Sequence, residues 1–276
     1  MTNSFPSFSV LMSVYYKENP IFLEQAINSI LENSVLPNEI VIVKDGTLTP
    51  ELEKVLNAFD NSVIKVIGYD ENKGLGYALN FGLKYCSNDL VARMDSDDIC
   101  SSTRFEKELL QFIKNQDLSI VGSNISEFIG CLENIVSIRS VPQDIEDIIK
   151  YSKKRNPFNH PSVMFKKSDV VSAGGYVDFY RHEDYYLWYR MLKKGCLGFN
   201  IQECLVNMRT TEDFYKRRGG WKTFINRMKL SKIMLNDHYI SLFTYLMVFF
   251  LNFSNTIIPS FVRKTIHRKF LRSKRK

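Results

Sequence analysis

The sequence predicts an α/β fold in which a mostly parallel central sheet is flanked by helices. Short apolar runs typical of buried strands alternate with segments of helical periodicity over the first hundred residues. The order β-α-β-α-β-α-β is the pattern of a parallel sheet wrapped by helices. An apolar and strongly basic stretch near the C-terminus adds a helical appendage to this predicted fold.

The alternation begins with an uncharged run, FSVLMSVY, after which Asn19 and Pro20 form a good helix start. The second apolar run, EIVIV, ends at Lys44-Asp45-Gly46, and Thr47 or Thr49 is the candidate cap of the next helix. The predicted strands are 8–15, 39–43, 63–67 and a fourth from residue 90, and the predicted helices are 20–31, 51–59 and 75–85.

Further elements are predicted beyond the fourth strand. Thr103 and Glu106 have the spacing of a capping box, and a strand at 118–121 follows their helix. A strand is predicted at 160–165, and a helix at 184–194 that Gly195 ends. Residues 127–156 show no clear periodicity. We assign residues 1–213 to one domain and residues 214–276 to a basic and hydrophobic helical region.

The formal net charge of +7 is unevenly distributed along the 276 residues. Residues 214–276 contain 15 Lys and Arg and a single acid, Asp237, whereas residues 1–213 carry a net charge of −7. A basic tail on an acidic body indicates a two-part molecule. A nucleic-acid-binding protein would spread basic residues over a folded face, so we expect no nucleic-acid partner.

Cysteine usage and the N-terminus predict a cytoplasmic protein. The five cysteines are odd in number and show no Cys-x-x-Cys spacing, which indicates a reducing compartment rather than a disulfide framework. The N-terminus has no basic region followed by an apolar run and a small-residue cleavage site, so no signal peptide is expected.

Three carboxylates follow the fourth strand within four residues, at Asp95, Asp97 and Asp98. Crowded carboxylates raise one another's pKa, and oxygen-only ligands suit a hard ion such as Mg²⁺ or Mn²⁺. In open α/β sheets, ligands also collect beyond the carboxyl ends of the strands. The alternative interpretation of the motif alone is a solvated acidic turn.

Seven stretches, in order and at plausible spacing, resemble the inverting nucleotide-sugar glycosyltransferases of family 2, which have a GT-A fold. The resemblance covers roughly residues 8–209. It implies transfer of a hexose from a UDP-sugar with a divalent metal, Mn²⁺ or Mg²⁺, and a β linkage if an α-linked donor is inverted. The stretches are FSVLMSVYYKEN, NSILENS, EIVIVKDGT, NKGLGYALNFGL, ARMDSDDI, HPSVMF and GGY followed by RHEDYYLW.

The resemblance also implies roles for individual residues. It makes Asp97 the direct metal ligand, Asp95 a ribose or metal-water partner, and Asp98 a support of the turn. Tyr15 would stack on the uracil base and Asp45 would hydrogen-bond to it. The alternatives are that Tyr15 is an ordinary aromatic residue at the sheet edge and that Asp45 is a turn former before Gly46. The full set implied for nucleotide-sugar binding is Ser13, Tyr15, Asp45, Asn72, Gly74, Asp95 and His160.

A second carboxylate pair, Glu183-Asp184, stands at a predicted helix start, where acids also occur simply because they complement the helix dipole. The resemblance assigns Asp184 as the general base and Glu183 as its neighbour. His182 is interpreted as a structural histidine. Arg209 and residues 217–220 lie where relatives close a loop over the donor diphosphate. Many relatives carry Arg where this chain has Leu79.

The C-terminal region predicts contact with a membrane. Residues 239–262 are mostly apolar, and a bilayer-spanning helix, an in-plane helix and a buried core helix remain alternatives. Residues 263–276 carry eight Lys and Arg and no acid, which favours binding to a surface of anionic lipids. Residues around Trp221 predict an amphipathic helix on the membrane. We therefore expect a cytoplasmic enzyme that is peripheral on, or anchored to, the inner face of a bacterial membrane, with its oligomeric state left open.

A lipid-linked acceptor suits such an enzyme, and the hypothesis that follows is galactosyl transfer to a polyprenyl diphosphate saccharide in O-antigen or capsule synthesis. UDP-glucose and UDP-N-acetylhexosamines are alternative donors. A sugar-nucleotide nucleotidyltransferase is the alternative from another class, but it needs a Gly-rich basic loop after the first strand, where this chain has Tyr15-Tyr16-Lys17-Glu18-Asn19. A non-catalytic membrane adaptor is a third alternative, against which the two acidic groups argue.

Overall fold

A computed structural model describes residues 5–210 and 220–257. In these two ranges, nine strands form one sheet. The strands are β1 Phe8–Val14, β2 Glu39–Asp45, β3 Ile64–Tyr69, β4 Leu90–Asp95, β5 Ile99–Cys100, β6 Leu118–Phe128, β7 Ile135–Arg139, β8 Met164–Lys166 and β9 Leu197–Arg209. The helices are α1 Pro20–Leu31, α2 Pro50–Ala58, α3 Leu75–Leu83, α4 Arg104–Lys114, α5 Ile145–Ser152, α6 Lys167–Ser172, α7 Glu183–Lys193, α8 Trp221–Asn236 and α9 Leu242–Ile257.

The sheet has the order β3-β2-β1-β4-β8-β6-β9-β5, with β7 paired to β6. The predicted parallel arrangement is confirmed for β1 to β4. It is wrong for the rest of the sheet, because β8 runs antiparallel to both β4 and β6, and only β6 and β9 pair in parallel there. The sheet is therefore mixed rather than mostly parallel. Two apolar clusters cover its two faces.

The N-termini of three helices test the capping residues that the sequence predicts. Asn19 caps α1 by accepting a hydrogen bond from the Ile21 N–H at 2.9 Å, and Thr49 rather than Thr47 caps α2. The predicted capping box at α4 is wrong, because Thr103 makes no cap bond and the Glu106 carboxylate instead accepts a hydrogen bond from Ser34 Oγ.

The prediction of a strand over residues 160–165 is also corrected. The turn His160–Ser162 is a short 3₁₀ helix, and β8 begins only at Met164. Pro161 fixes its own φ and supplies no N–H, which suits the first turn of a helix better than a sheet ladder. Gly195, with φ of 88°, lies just beyond the end of α7 as predicted.

The C-terminal helices α8 and α9 pack against each other through edge-to-face contacts between aromatic rings. Trp221 and Phe224 of α8 contact Phe249 and Phe253 of α9. Leu230 of α8 packs with α7 in a third apolar cluster. Within the described ranges, no helix combines the length and apolar character needed to cross a bilayer. Two predictions fall on residues outside the described ranges. They are the loop over the donor diphosphate, at residues 217–219, and the basic segment at residues 263–276.

Candidate active site

The parallel strands bring the first group of predicted site residues to one edge of the sheet. In the register of β1, Ser13 lies beside Val43 of β2 on one side and Asp95 of β4 on the other. Tyr15 follows β1 and leaves 41% of its surface exposed. Because Asp45 ends β2, the strand ends place the predicted nucleotide-binding residues next to the acidic turn, residues 95–98.

The acidic turn brings three carboxylates together. Ligand oxygens of Asp95, Asp97 and Asp98 all lie within 4.8 Å of one another. Asp98 is buried, and its Oδ1 accepts a hydrogen bond from the Arg209 backbone N–H at 2.8 Å. Among the residues that the structure describes, its buried Oδ2 has no hydrogen-bond partner. Asp98 thus bonds to the backbone of β9 through one oxygen and leaves the other without a hydrogen bond.

Burial and the charges of neighbouring carboxylates raise the pKa values of Asp97 and Asp98. The pKa of Asp97 is raised to about 7, by burial first and then by the charges of Asp95 and Glu18. Burial and the neighbouring Asp97 and Asp95 raise the pKa of Asp98 well above its usual range. Three crowded oxygen ligands with an orphaned buried oxygen fit a hard divalent cation, which would remove this repulsion.

Glu18 is a neighbour of the acidic turn that the sequence analysis did not assign. Its Oε2 accepts a hydrogen bond from Ser96 Oγ at 2.5 Å, so the loop after β1 is tied to the acidic turn. The available signal was its position, since an acid four residues beyond the end of a parallel strand reaches the same sheet edge as the ends of its neighbours.

Arg209, at the end of β9, also anchors the acidic turn. Its Nε donates to the Asp97 carbonyl oxygen at 3.0 Å, and its Nη2 donates to Gln25 Oε1 at 2.7 Å. The guanidinium also lies over the Phe22 ring, 3.8 Å from its centroid. Arg209 therefore lies beside the acidic turn with its guanidinium bonded to the protein, and a role at the donor diphosphate stays a prediction.

Asp45 is engaged by its own chain on both oxygens. Its Oδ1 accepts hydrogen bonds from Tyr69 Oη at 2.9 Å and the Lys73 N–H at 2.7 Å. Its Oδ2 accepts hydrogen bonds from Asn72 Nδ2 and the Gly74 N–H, both at 3.0 Å. Asp45 thus holds residues 72–74, the donor turn, against the sheet. Its contact with uracil stays a prediction, and these four partners already occupy the carboxylate.

The second acid pair lies at the start of α7, next to the donor turn. A Cβ added to Gly76 would lie 3.7 Å from the Cβ of Glu183, so the first turn of α3 abuts the first turn of α7. Burial, followed by the charge of Asp184, raises the pKa of Glu183 to about 7. Burial also raises the pKa of Asp184. Two hydrogen bonds oppose this rise, from the Tyr185 N–H at 2.7 Å and from Asn156 Nδ2 at 2.6 Å.

Buried Arg93 connects the two acidic groups electrostatically. It is 2% exposed and forms an ion pair with Asp95. Its charge opposes the rise in the pKa values of Asp97, Glu183 and Asp184, so one guanidinium acts electrostatically on acids of both groups. Arg93 thus pairs locally with Asp95 and also acts on the acid pair of α7.

Of the two histidines near the site, His160 is buried and His182 is half-buried, and burial lowers the pKa of both. Burial lowers the pKa of His160 well below its usual range, and its Nε2 lies 3.0 Å from the Tyr176 hydroxyl. A contact between His160 and the sugar donor stays a prediction. In the structure, the ring instead contacts the Tyr176 hydroxyl. Burial, followed by the charge of Arg227, lowers the pKa of His182 to about 4. Leu79 is completely buried in the core.

These features describe an α/β protein with two groups of acidic residues, one of which fits a divalent cation, and comparison with known proteins specifies the family. A family model described as Glycosyl transferase family 2 matches residues 9–171, more than half of the chain. The protein belongs to this family and is a glycosyltransferase. This membership decides against the nucleotidyltransferase and the non-catalytic adaptor.

Two relatives match over most of their lengths. The UDP-Gal:alpha-D-GlcNAc-diphosphoundecaprenol beta-1,3-galactosyltransferase of Escherichia coli is 41% identical, over 99% of this chain and 99% of its own. The amylovoran biosynthesis glycosyltransferase AmsE of Erwinia amylovora is 35% identical, over 83% of this chain and 85% of its own.

A solved structure supports the fold. S. aureus TarS superposes with a TM-score of 0.62 at 17% sequence identity, over 96% of this chain. This chain spans 44% of the TarS chain. At this level of identity the likeness concerns the fold alone, and it agrees with the expected GT-A-like arrangement of a sheet flanked by helices.

Proposed function

We propose that this enzyme transfers galactose from UDP-galactose to a saccharide carried on a polyprenyl diphosphate, forming a β linkage. The product would enter an O-antigen or capsular polysaccharide. The observation that carries the proposal is the 41% identity to the E. coli galactosyltransferase along 99% of both chains. A match of that extent includes the strand ends, the acidic turn and the acid pair of α7 alike.

Asp184 is the proposed general base. It would take the proton from the acceptor hydroxyl while that oxygen forms a bond to the anomeric carbon. The bond from that carbon to the diphosphate breaks on the opposite face, so the configuration inverts. A sugar hydroxyl is a poor nucleophile, and a positioned base typically gains ~10²–10⁴-fold. The raised pKa values of Asp184 and Glu183 support a proton-accepting role for this pair.

Asp97 and Asp95 would hold Mn²⁺ or Mg²⁺ at the acidic turn. A bound cation would supply Lewis-acid neutralisation of the leaving nucleoside diphosphate. The strand ends would form the nucleotide wall of the site, with Tyr15 against the base and Ser13 and Gly74 near the backbone of the donor. The exposure of Tyr15 and the open space around Gly74 support this placement.

The enzyme would work at the cytoplasmic face of the membrane, bound at its surface. The exposed apolar residues of α9 and the basic composition of residues 263–276 support this part of the proposal. A donor carrying glucose or an N-acetylhexosamine is the alternative within the family, because nothing in the described contacts of the site distinguishes the sugars.

A donor and acceptor panel tests the proposed function. UDP release would be measured with UDP-galactose, UDP-glucose and UDP-N-acetylglucosamine, with a synthetic GlcNAc-diphospho-lipid acceptor and with Mn²⁺, Mg²⁺ or a chelator. We expect turnover that needs the metal and the acceptor and is fastest with UDP-galactose. The product should show a β-linked galactose by NMR. An α-linked product, or a clear preference for another donor, would contradict the proposal.

A further inference from the structure

Asn156 supplies a hydrogen bond to the acid that carries the proposed chemistry. Its Nδ2 donates to Asp184 Oδ2 at 2.6 Å, while the Tyr185 N–H donates to Asp184 Oδ1 at 2.7 Å. Each carboxylate oxygen thus accepts one bond from the protein and keeps a further acceptor site. The carboxylate is therefore fixed at both oxygens without losing the capacity to take a proton.

The segment that carries Asn156 is itself held firmly. Asn156 Oδ1 accepts a hydrogen bond from the Phe158 N–H at 3.3 Å, which orients the amide so that its N–H faces Asp184. Pro157 follows directly and restricts the backbone of Asn156 to extended conformations. Asn200 Nδ2 donates to the Pro157 carbonyl at 3.1 Å, and Asn159 Nδ2 donates to the Ser123 carbonyl at 2.7 Å. The loop is thereby anchored to the sheet.

We propose that Asn156 is a positioning residue that holds the Asp184 carboxylate in the orientation needed to accept the proton of the acceptor hydroxyl. The inference rests on the proposed role of Asp184 as general base. The residue comes from a region, 127–156, in which the sequence shows no periodicity, and only the fold brings it to α7.

The charged and titratable groups around Asp184 define what a change at Asn156 would do. Glu183 is its neighbour on α7, Arg139 faces it from the end of β7, and Arg93 from β4. The tyrosine side chains that interact with it are Tyr176 and Tyr185. The bond from Asn156 lowers the pKa of Asp184, against burial. Its loss would keep Asp184 protonated to higher pH, and the acidic limb of turnover would move upward.

Asn156→Asp is the sharpest variant. It keeps the size of the side chain and an oxygen that can accept from the Phe158 N–H, and it replaces the N–H facing Asp184 by a second carboxylate oxygen. We expect kcat with UDP-galactose and the GlcNAc-diphospho-lipid at pH 7 to fall about tenfold or more, with the acidic limb shifted up by about one pH unit or more. The KM for UDP-galactose should stay within about twofold, because Asn156 contacts Asp184, the proposed general base, and has no assigned role in binding UDP-galactose.

Asn156→Ala and Asn57→Asp are the companion variants. Asn156→Ala removes the hydrogen-bond donor to Asp184 without adding a charge. It should shift the acidic limb of turnover in the same direction by a smaller amount. Asn57→Asp adds the same charge at an exposed position of α2 and should leave the profile unchanged. Thermal unfolding of each variant checks that the fold is retained. If Asn156→Asp does not fold, the pH profile of Asn156→Ala decides.

An unmoved acidic limb in the Asn156 variants, or a loss equal at every pH, would overturn the positioning role. Asp184→Asn separates this outcome from failure of the proposed function. Turnover of Asp184→Asn close to that of the wild type would remove Asp184 as the base, and the proposal for Asn156 with it. An inactive Asp184→Asn together with unmoved Asn156 profiles would overturn the inference for Asn156 alone.

Discussion

Arg104 and Glu108 of α4 form a completely buried ion pair beneath the strand that leads to the acidic turn. Arg104 Nε donates to Glu108 Oε1 at 3.0 Å, and Arg104 Nη2 donates to the carbonyl of Arg93 at 2.8 Å. A buried pair costs much of its attraction in desolvation, so its contribution lies in fixing geometry more than in stability. Here it fixes the end of β4, two residues before Asp95.

The Glu108 carboxyl predicts a pH dependence of stability. Burial raises its pKa from 4.5 to about 7, despite the charge of Arg104. Between these values the folded protein retains a proton that the unfolded chain has released, so this group's contribution to stability falls as pH rises from 4.5 to about 7. Glu108→Gln removes that titration. The difference in Tm, wild type minus variant, should therefore decrease across this window when measured by thermal unfolding.

Glu106→Gln is the matched control for Glu108→Gln, because it removes a carboxylate from the same helix at a position that is not buried. A wild-type minus Glu108→Gln difference that is constant from pH 4 to 8 would contradict the raised pKa of Glu108. A difference that increases with pH would contradict the sign of the argument.

At the scale of elements, the site depends on how strand ends are held, and the donor turn is the clearest case. Asp45 at the end of β2 accepts hydrogen bonds from three consecutive residues of this turn. The residue after it, Gly46, has φ of 87°, and an added Cβ would lie 2.7 Å from the backbone N of Asn72. The turn can approach β2 this closely only because residue 46 has no side chain.

A pair of glycine substitutions tests this close approach. Gly46→Ala and Gly195→Ala both place alanine at nearly the same φ, but a Cβ at Gly195 meets nothing within 4 Å. Gly195→Ala should cost about 1 kcal/mol from the backbone conformation alone. Gly46→Ala should cost at least about 1 kcal/mol more, because it must also displace the donor turn, and it should raise the KM for UDP-galactose. Urea unfolding and donor titration measure the two effects, and equal losses in both variants would contradict the account.

The elements also show how far sequence reasoning reaches. The location of Asp45, Asp95 and Asp97 at one sheet edge was predictable, because the carboxyl ends of consecutive parallel strands meet there. Their individual roles were implied by the resemblance to the family and stay predictions. The antiparallel course of β8 was not predictable in that way, because its partners β4 and β6 are distant from it in the sequence. Glu18 and Asn156 were missed for a related reason: each lies in a loop whose path is set by packing against distant elements rather than by its own periodicity.

At the scale of the whole molecule, α9 presents an exposed apolar edge. Phe243 is 78% exposed, Phe250 62% and Leu246 44%, at positions three and four residues apart. No charged residue interrupts α9, and residues 263–276 of the sequence carry eight basic residues. An apolar edge next to a basic segment is the combination expected of a helix that lies in an anionic membrane surface.

A triple substitution tests membrane binding through α9. Replacing Phe243, Leu246 and Phe250 by serine should leave the fold intact, since these side chains are exposed, and should markedly reduce co-sedimentation with vesicles containing phosphatidylglycerol. Binding by the wild type should also weaken as salt is raised, because the basic residues are screened.

The control for this triple variant replaces three equally exposed apolar residues elsewhere, Ile21, Leu36 and Val171, by serine. This control should keep the vesicle binding of the wild type. Equal binding by both triple variants would contradict the role of α9. Loss of self-association instead of vesicle binding would assign the edge to a second copy of the chain.

The most direct measurement separates donor binding from proton removal in two single variants. UDP-galactose binding in the presence of Mn²⁺ would be measured by calorimetry for Asp97→Asn and Asp184→Asn, alongside transfer to the GlcNAc-diphospho-lipid. The account predicts that both variants lose transfer by at least about a hundredfold. Asp97→Asn should lose the Mn²⁺-dependent binding of the donor, whereas Asp184→Asn should keep it. Wild-type transfer by either variant, or loss of donor binding in Asp184→Asn, would contradict a site in which one acidic group serves the donor and the other the acceptor.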